Sequence, residues 1–175
     1  MAGLPADIEG YREYVGARLE PLRRTAYLLC GDWHTADDLV STALVKLLRH
    51  WRRVSRMDSP DAYVRRTLLR VWLDERRRPW RREAAWADVP DGDVRSATDG
   101  AADRLTVLAL LAELPPRRRA VLVLRYFCDL SVEETARELG CTTGTVKSQS
   151  ARAIEALRSR LVGAPARAEE ARTDG

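Results

Sequence analysis

The stretch Ser131-Val-Glu-Glu-Thr-Ala-Arg-Glu-Leu-Gly-Cys-Thr-Thr-Gly-Thr-Val-Lys-Ser-Gln149 decides the fold. Ser131 followed three residues later by Glu134 is the pattern in which a hydroxyl caps a helix start and a carboxylate reaches back. A short helix then runs to Leu139. Gly140 stands where a left-handed residue is wanted to stop it. Thr142 can cap a last helix that continues to about Leu161. Two short helices around a Gly-bearing turn of three or four residues make a helix-turn-helix. Val132, Ala136 and Leu139 on the first helix, and Val146, Ala153, Ile154, Leu157 and Leu161 on the second, recur at helical spacing and pack inward. Thr143, Lys147, Ser148, Ser150, Ala151 and Arg152 fall largely outside that stripe. The outer face is small, polar and basic, as suits a helix entering a major groove. A plain helical hairpin with a solvated face shares the spacing, so the surroundings must separate the two readings.

Working outward, Leu114-Pro-Pro116 ends one helix, from about Ala102, and starts another, Arg117 to Phe127. Upstream, residues 83–103 carry six acids against one cation, with Pro and two Gly and no sustained apolar period. They read as a flexible acidic linker. The block before it is helical again. One helix covers about Ile8 to Cys30, with Pro21 as an expected break or kink. Gly31-Asp32 punctuates. Thr35, with Asp38 three residues on, is expected to cap a second helix. Its Leu39, Val40, Ala43, Leu44, Leu47 and Leu48 should form one buried face. Ser59-Pro60 opens a third helix, which stops at about Arg78 before Pro79. Strand alternation is absent. The expected fold is all-α: two small helical domains, at 8–82 and 104–162, joined by the linker 83–103, with a frayed tail at 163–175.

The 175 residues suffice for one ordinary domain or two small ones. No apolar run is long enough to span a bilayer. Met1 to Asp7 shows no basic segment followed by an apolar one, so a cytoplasmic protein without membrane insertion is expected. The cations are 28 Arg and only two Lys (Lys46 and Lys147), and Asn is absent, which reflects a GC-rich genome more than a function. Their distribution says more. Residues 10–82 carry 17 cations and 9 anions, and residues 104–162 carry ten and six. Two basic blocks flank an acidic stretch, which suits a polyanionic partner. The run Arg76-Arg-Arg-Pro-Trp-Arg-Arg82 holds five cations in seven residues, more than a helix dipole needs, and points to phosphate. Cys30, Cys128 and Cys141 are far apart and form no CxxC, so neither disulfide nor zinc is expected. His34 and His50 have no phosphate loop or acid–base constellation beside them, so no catalysis, metal or cofactor is expected.

These residues carry a resemblance. Leu114 to Leu130, continued by Ser131 to Gln149, resembles region 4 of an RNA polymerase sigma factor of the extracytoplasmic-function (ECF, group 4) type in the sigma-70 family. The core from Leu139 to Ser148 is its most specific part. Leu22 to Asp32 and Ala36-Asp-Asp-Leu-Val40 resemble regions 2.1 and 2.2, and Ser59 to Arg78 resembles regions 2.3 to 2.4. The likeness covers about residues 10–162. It implies an alternative initiation factor that binds core RNA polymerase, at the β′ clamp helices and the β flap, and directs it to promoters. The first block would recognise and melt the −10 element, and the second would read −35. It further implies that Asp37, Asp38, Leu39, Val40, Ser41 and Thr42 lie on the polymerase-binding surface. The loop from Val54 to Ser59, with Arg56, would capture a flipped −10 base. Arg65, Arg66, Arg70, Arg76, Arg77 and Arg78 would lie along −10 DNA. Lys147, Ser148, Ala151 and Arg152, with Thr145, would serve −35 readout, and Gln149 and Arg118 would contact phosphate. An anti-sigma factor is implied as a further partner.

Three sites depart from the family pattern. Ser41-Thr42 replaces Gln-Glu or Gln-Asp, which removes a carboxylate from the polymerase-facing surface. Arg70 replaces Asn and cannot accept a hydrogen bond. Ala151 offers only a methyl group. A stand-alone dimeric helix-turn-helix regulator is a rival reading; the long basic helix of the first block and the weakly basic reading helix argue against it. An interaction module that merely mimics a sigma factor has no need of both DNA-facing blocks.

Overall fold

The computed structural model describes the backbone of residues 6–77 and 101–163, and the side chains of residues 8–76 and 107–160. It divides into two compact units, Met1–Thr98 and Asp99–Gly175. Among the described residues every regular element is helical.

The first unit is three helices: α1 (Ala6–Cys30), α2 (Trp33–Val54) and α3 (Pro60–Arg77). α1 runs through Pro21 without a break, contrary to expectation. Pro21 and Ala17, whose carbonyl loses its helical partner, both lie on the exposed side, where water can take that bond. Gly31 turns the corner at φ 84°, and Asp32, not Thr35, caps α2. Its Oδ2 accepts from the Thr35 backbone N–H at 2.7 Å. That bond holds the Asp32 carboxyl below the usual carboxylate range, against an opposing push from partial burial. Ser59 caps α3 as expected, accepting from Ala62 N–H at 3.2 Å.

α2 is the central helix of this unit. Ala36, Leu39, Val40, Ala43, Leu47, Trp51 and Val54 are buried at spacings of three and four. They meet Leu22, Ala26 and Leu29 of α1 and Val64, Leu68, Leu69 and Trp72 of α3 in the core. Leu48, expected inside, is 47% exposed, and Leu44 is only half-buried. A helix buries a stripe rather than every apolar residue near it. Tyr11 and Tyr14 of α1 pack on Trp51 at ring separations of 5.6 and 5.3 Å, and the Tyr11 hydroxyl donates to the Leu44 carbonyl at 3.0 Å.

The second unit is α4 (Ala101–Ala112), α5 (Pro116–Leu122), a π-helical turn (Val123–Phe127), α6 (Val132–Leu139) and α7 (Thr143–Gly163). α4 begins inside the stretch expected to be linker, because the Ala101-Ala102 pair already favours helix. Residues 83–100, Arg78 and the tail from 164 on lie outside the described residues, and with them most of the linker and tail expectations. The helix expected as one piece from Arg117 to Phe127 changes winding at Val123. Cys128 N–H reaches back five residues to the Val123 carbonyl at 3.0 Å, and Asp129 takes a positive φ of 54°. The capping box at Ser131 and Glu134 is complete in both directions. Gly140 is left-handed (φ 64°, ψ 42°), and Thr142 accepts from Thr145 N–H at 3.1 Å. Val121, Ala136 and Val146 form the core between α5, α6 and α7, with Val132, Leu139 and Cys141 against it.

Candidate functional site

Three surfaces hold the residues singled out by the sequence. On α7, Lys147, Ser148, Ala151 and Arg152 are all exposed. They sit at steps of one, three and one, so they share a face of the helix. Val146 and Ala153, both fully buried, fix that rotation by facing the opposite way. Thr145 is also exposed, but its hydroxyl lies 2.9 Å from that of Thr142, and the Ser148 hydroxyl donates to the Thr145 carbonyl at 3.0 Å. Both serve the first turn of α7 in this state. Gln149 and Arg118 are half-buried and meet each other: Arg118 Nε donates to Gln149 Oε1 at 3.3 Å, tying α5 to α7. A guanidinium carries five N–H donors, so this bond does not exhaust Arg118.

On α3, Arg70 and Arg76 are exposed, and Arg76 lies over the Trp72 ring at 5.6 Å. Arg65 and Arg66 are half-buried, and Arg66 Nε is shielded from water without a hydrogen-bond partner. The backbone of Arg77 belongs to α3, while its side chain and the whole of Arg78 lie outside the described residues. The loop from Ser55 to Ser59 is exposed throughout, Arg56 included. It leaves α2 by short bonds, Ser55 N–H to the Trp51 carbonyl at 2.8 Å and Met57 N–H to Val54 at 3.0 Å. A network anchors the far side of this loop: Asp61 accepts from the Tyr14 hydroxyl at 2.7 Å and from Arg18 Nε at 3.0 Å. Burial pushes the Asp61 carboxyl up, but the bonds from Tyr14 and Arg18 outweigh it and hold it below its ordinary value. Burial and the Asp61 carboxylate raise the Tyr14 hydroxyl well above the usual tyrosine range.

On α2, the six residues expected to face the polymerase divide. Leu39 and Val40 are 0% and 2% exposed and belong to the bundle core, so they hold the helix and cannot touch a partner. Asp38, Ser41 and Thr42 are exposed. Val45, 52% exposed, and Leu48 continue their stripe along the helix. Asp37 is half-buried on the flank toward α1, where Arg23 Nε donates to Oδ1 at 2.6 Å and its NH2 to Oδ2 at 3.1 Å. That guanidinium keeps the Asp37 carboxyl below the usual carboxylate range.

Sequence reasoning missed Arg23, the Tyr14–Arg18–Asp61 network and the exposed Val45 and Leu48. Arg23 and Asp37 stand about two turns either side of the Gly31 corner, which is the one signal that pairs them. The second unit also carries an unforeseen apolar groove of about 280 Å³. Val107, Leu110, Leu122, Tyr126, Phe127 and Leu157 are among its walls.

Two families match the chain: sigma-70 region 2 over residues 15–82 and sigma-70 region 4 over residues 104–157. The RNA polymerase sigma-E factor of Streptomyces avermitilis is 37% identical over 151 residues, 86% of this chain and 84% of that protein. The chain belongs to the sigma-70 family. The ECF RNA polymerase sigma factor SigL of Mycobacterium tuberculosis is 31% identical over 145 residues, 80% of this sigma factor and 82% of SigL. The relatives place this sigma factor in the ECF group, as a promoter-recognising transcription initiation factor. The fold agrees. The sigma factor RpoE of Bartonella quintana, solved with the anti-sigma factor NepR, superposes with a TM-score of 0.74 at 22% identity, over 87% of this chain and 97% of that one. CnrH, solved with the cytosolic domain of CnrY, gives 0.64 at 21% identity, over 91% and 92%. Among the described residues no helix is long and apolar enough to cross a membrane.

Proposed function

We propose that this sigma factor docks on core RNA polymerase through two surfaces and recognises promoters through two others, by binding alone and without catalysis. Asp38, Ser41, Thr42, Val45 and Leu48 on α2 meet the β′ clamp helices. The apolar groove of the second unit takes an apolar segment of the β flap. The face of α7 bearing Lys147, Ser148, Ala151 and Arg152 enters the major groove at −35, with Arg118 and Gln149 on the flanking phosphate. The exposed loop 55–59 captures an unpaired −10 base, and Arg65, Arg66, Arg70 and Arg76 track the strand beside it. The observation that carries the reading is the exposed, small and basic face of a capped α7, set by the Gly140 turn on a helix-turn-helix. An anti-sigma factor that covers the docking surfaces is the further partner, by analogy with the solved complexes of RpoE and CnrH.

The test adds the purified protein to sigma-free core polymerase with genomic DNA of its host as template, and sequences transcript 5′ ends. New starts that share spaced −35 and −10 elements are expected. No new starts and no co-elution with core would replace this reading with that of a stand-alone DNA-binding regulator.

A further inference from the structure

One guanidinium organises the corner where α1 meets α2. Arg23 engages both oxygens of Asp37 in the forked geometry of a bidentate pair. Its third arm, NH1, reaches Glu20 Oε1 at 2.9 Å. The same guanidinium carbon lies 5.4 Å from the centre of the Trp33 ring. Trp33 in turn stacks on Tyr27 at 4.0 Å with an interplanar angle of 8°, yet remains 44% exposed. A large ring held flat at the surface beside a double ion pair is more order than the fold requires. An ion pair as exposed as this one contributes little to stability. The bundle core of Leu22, Ala26, Leu29, Ala36, Leu39 and Val40 already joins these helices.

What the arrangement does is settle which parts of the corner are spoken for. Both Asp37 oxygens are occupied from within the chain. Asp38, one residue on and about 100° round the helix, is exposed at the head of the stripe Ser41, Thr42, Val45 and Leu48. We propose that Arg23 is a positioning residue for polymerase docking: acting through Asp37 and Trp33, it fixes the corner of the first unit so that Asp38 and the Trp33 ring are presented ready-made to the polymerase. It lowers the ordering cost at the interface, because the side chains are set before contact is made. Lys cannot replace it, since an ammonium has neither the fork nor the planar face that meets the ring. The inference rests on the proposed docking of α2 on the polymerase.

The experiment titrates the full-length protein with core RNA polymerase of its own host and measures Kd for wild type, R23A, R23K, D37A, the double variant R23A/D37A, and D38A, with the thermal midpoint of each. D38A is expected to weaken binding by direct loss of a contact. R23A and D37A should each weaken it about three- to tenfold while the thermal midpoints barely move, and the double variant should be no worse than either single one, because both remove the same coupling. R23K should not restore wild-type affinity; it also carries the test should R23A fail to fold, as it keeps the charge and loses the fork. Unchanged binding by R23A overturns the proposal, and so does tighter binding, which would mean that Asp37 contacts the polymerase once released. Additive losses in R23A/D37A overturn it too. If wild type itself fails to bind core, the docking reading falls and this inference with it. If wild type and D38A behave as stated but R23A matches wild type, only this inference falls.

Discussion

Asp61, in the first turn of α3, gathers two donors from a helix more than forty residues away, Tyr14 and Arg18. Its carboxyl is held below its ordinary value, so the network contributes stability above the unfolded carboxyl pKa of about 3.9 and loses it as pH falls through the depressed folded value. Denaturant midpoints followed by circular dichroism should therefore show Asp61→Asn less stable than wild type at neutral pH, with the two curves converging as pH falls below about 4. Parallel curves down to the lowest pH would mean that Asp61 does not carry the acid limb. The same residue-level logic separates the proposed readers on α7 from the proposed phosphate anchor Arg118 on α5. Lys147→Ala should cost about 1–3 kcal/mol at the −35 sequence it reads and relax preference there. Arg118→Ala should weaken binding about equally across sequences, as a phosphate contact does; competition binding against substituted −35 elements distinguishes the two. Most of each helix's buried face was legible, because the 3.6-residue period is local, although Leu44 and Leu48 of α2 lie outside the core. The pairs Arg23–Asp37 and Tyr14–Asp61 were not, because no local pattern encodes a contact made only once helices pack. Leu39 and Val40 show the opposite error. Motif likeness set them among surface residues, although their own spacing placed them in the core.

At the scale of elements, the helix ends were written most plainly. Ser59, Ser131, Gly140 and Thr142 all sit where their chemistry suggested. Each of the three hydroxyls accepts from an orphan N–H three residues on, and Gly140 takes the left-handed conformation that ends α6. Asp32 displaced Thr35 because it lies immediately after the Gly31 corner, and a carboxylate there accepts from the Thr35 N–H itself. The π-helical turn at Val123–Phe127 had no such signature, since it depends on bonds reaching back from Cys128 and Leu130. It nevertheless matters, because Tyr126 and Phe127, both more than half exposed, project from it beside the apolar groove. Two substitutions test how far the turn geometry governs the reading helix. Ser131→Ala removes one half of the capping box and should cost about 1 kcal/mol in thermal or denaturant unfolding of the second unit. Gly140→Ala meets no steric neighbour, since nothing lies within 4 Å of the added Cβ. Its cost is conformational, about 1–2 kcal/mol for a non-glycine residue held left-handed. Equal stability of wild type and Gly140→Ala would show that the turn relaxes to a right-handed alternative, and the direction in which α7 leaves the turn would then change with it.

For the whole molecule, charge alone suggests two basic blocks around an acidic stretch, since charge needs no structure to be counted, and the chain divides into two compact units between Thr98 and Asp99. The functional consequence of that division is energetic. α7, with Glu155 set against its cations, is only weakly basic, so it needs help to hold DNA at physiological salt. If both units dock on one polymerase as proposed, each raises the effective concentration of the other at the promoter. Lys147 and Arg70 belong to separate units and are both exposed. Their losses should therefore add in free energy, so that K147A and R70A together reduce promoter-complex formation by the product of the single effects. Filter binding of holoenzyme on one promoter, repeated across salt concentrations, measures this. Each phosphate contact removed should lower the slope of log K against log salt by about one, while loss of a base contact leaves the slope alone. Lys147→Ala should leave the slope nearly unchanged if it reads a base edge, and Arg70→Ala should lower it if it tracks the strand backbone. A double variant no worse than the weaker single one would mean that the two units do not hold the promoter at the same time, and the avidity argument would fail for this sigma factor.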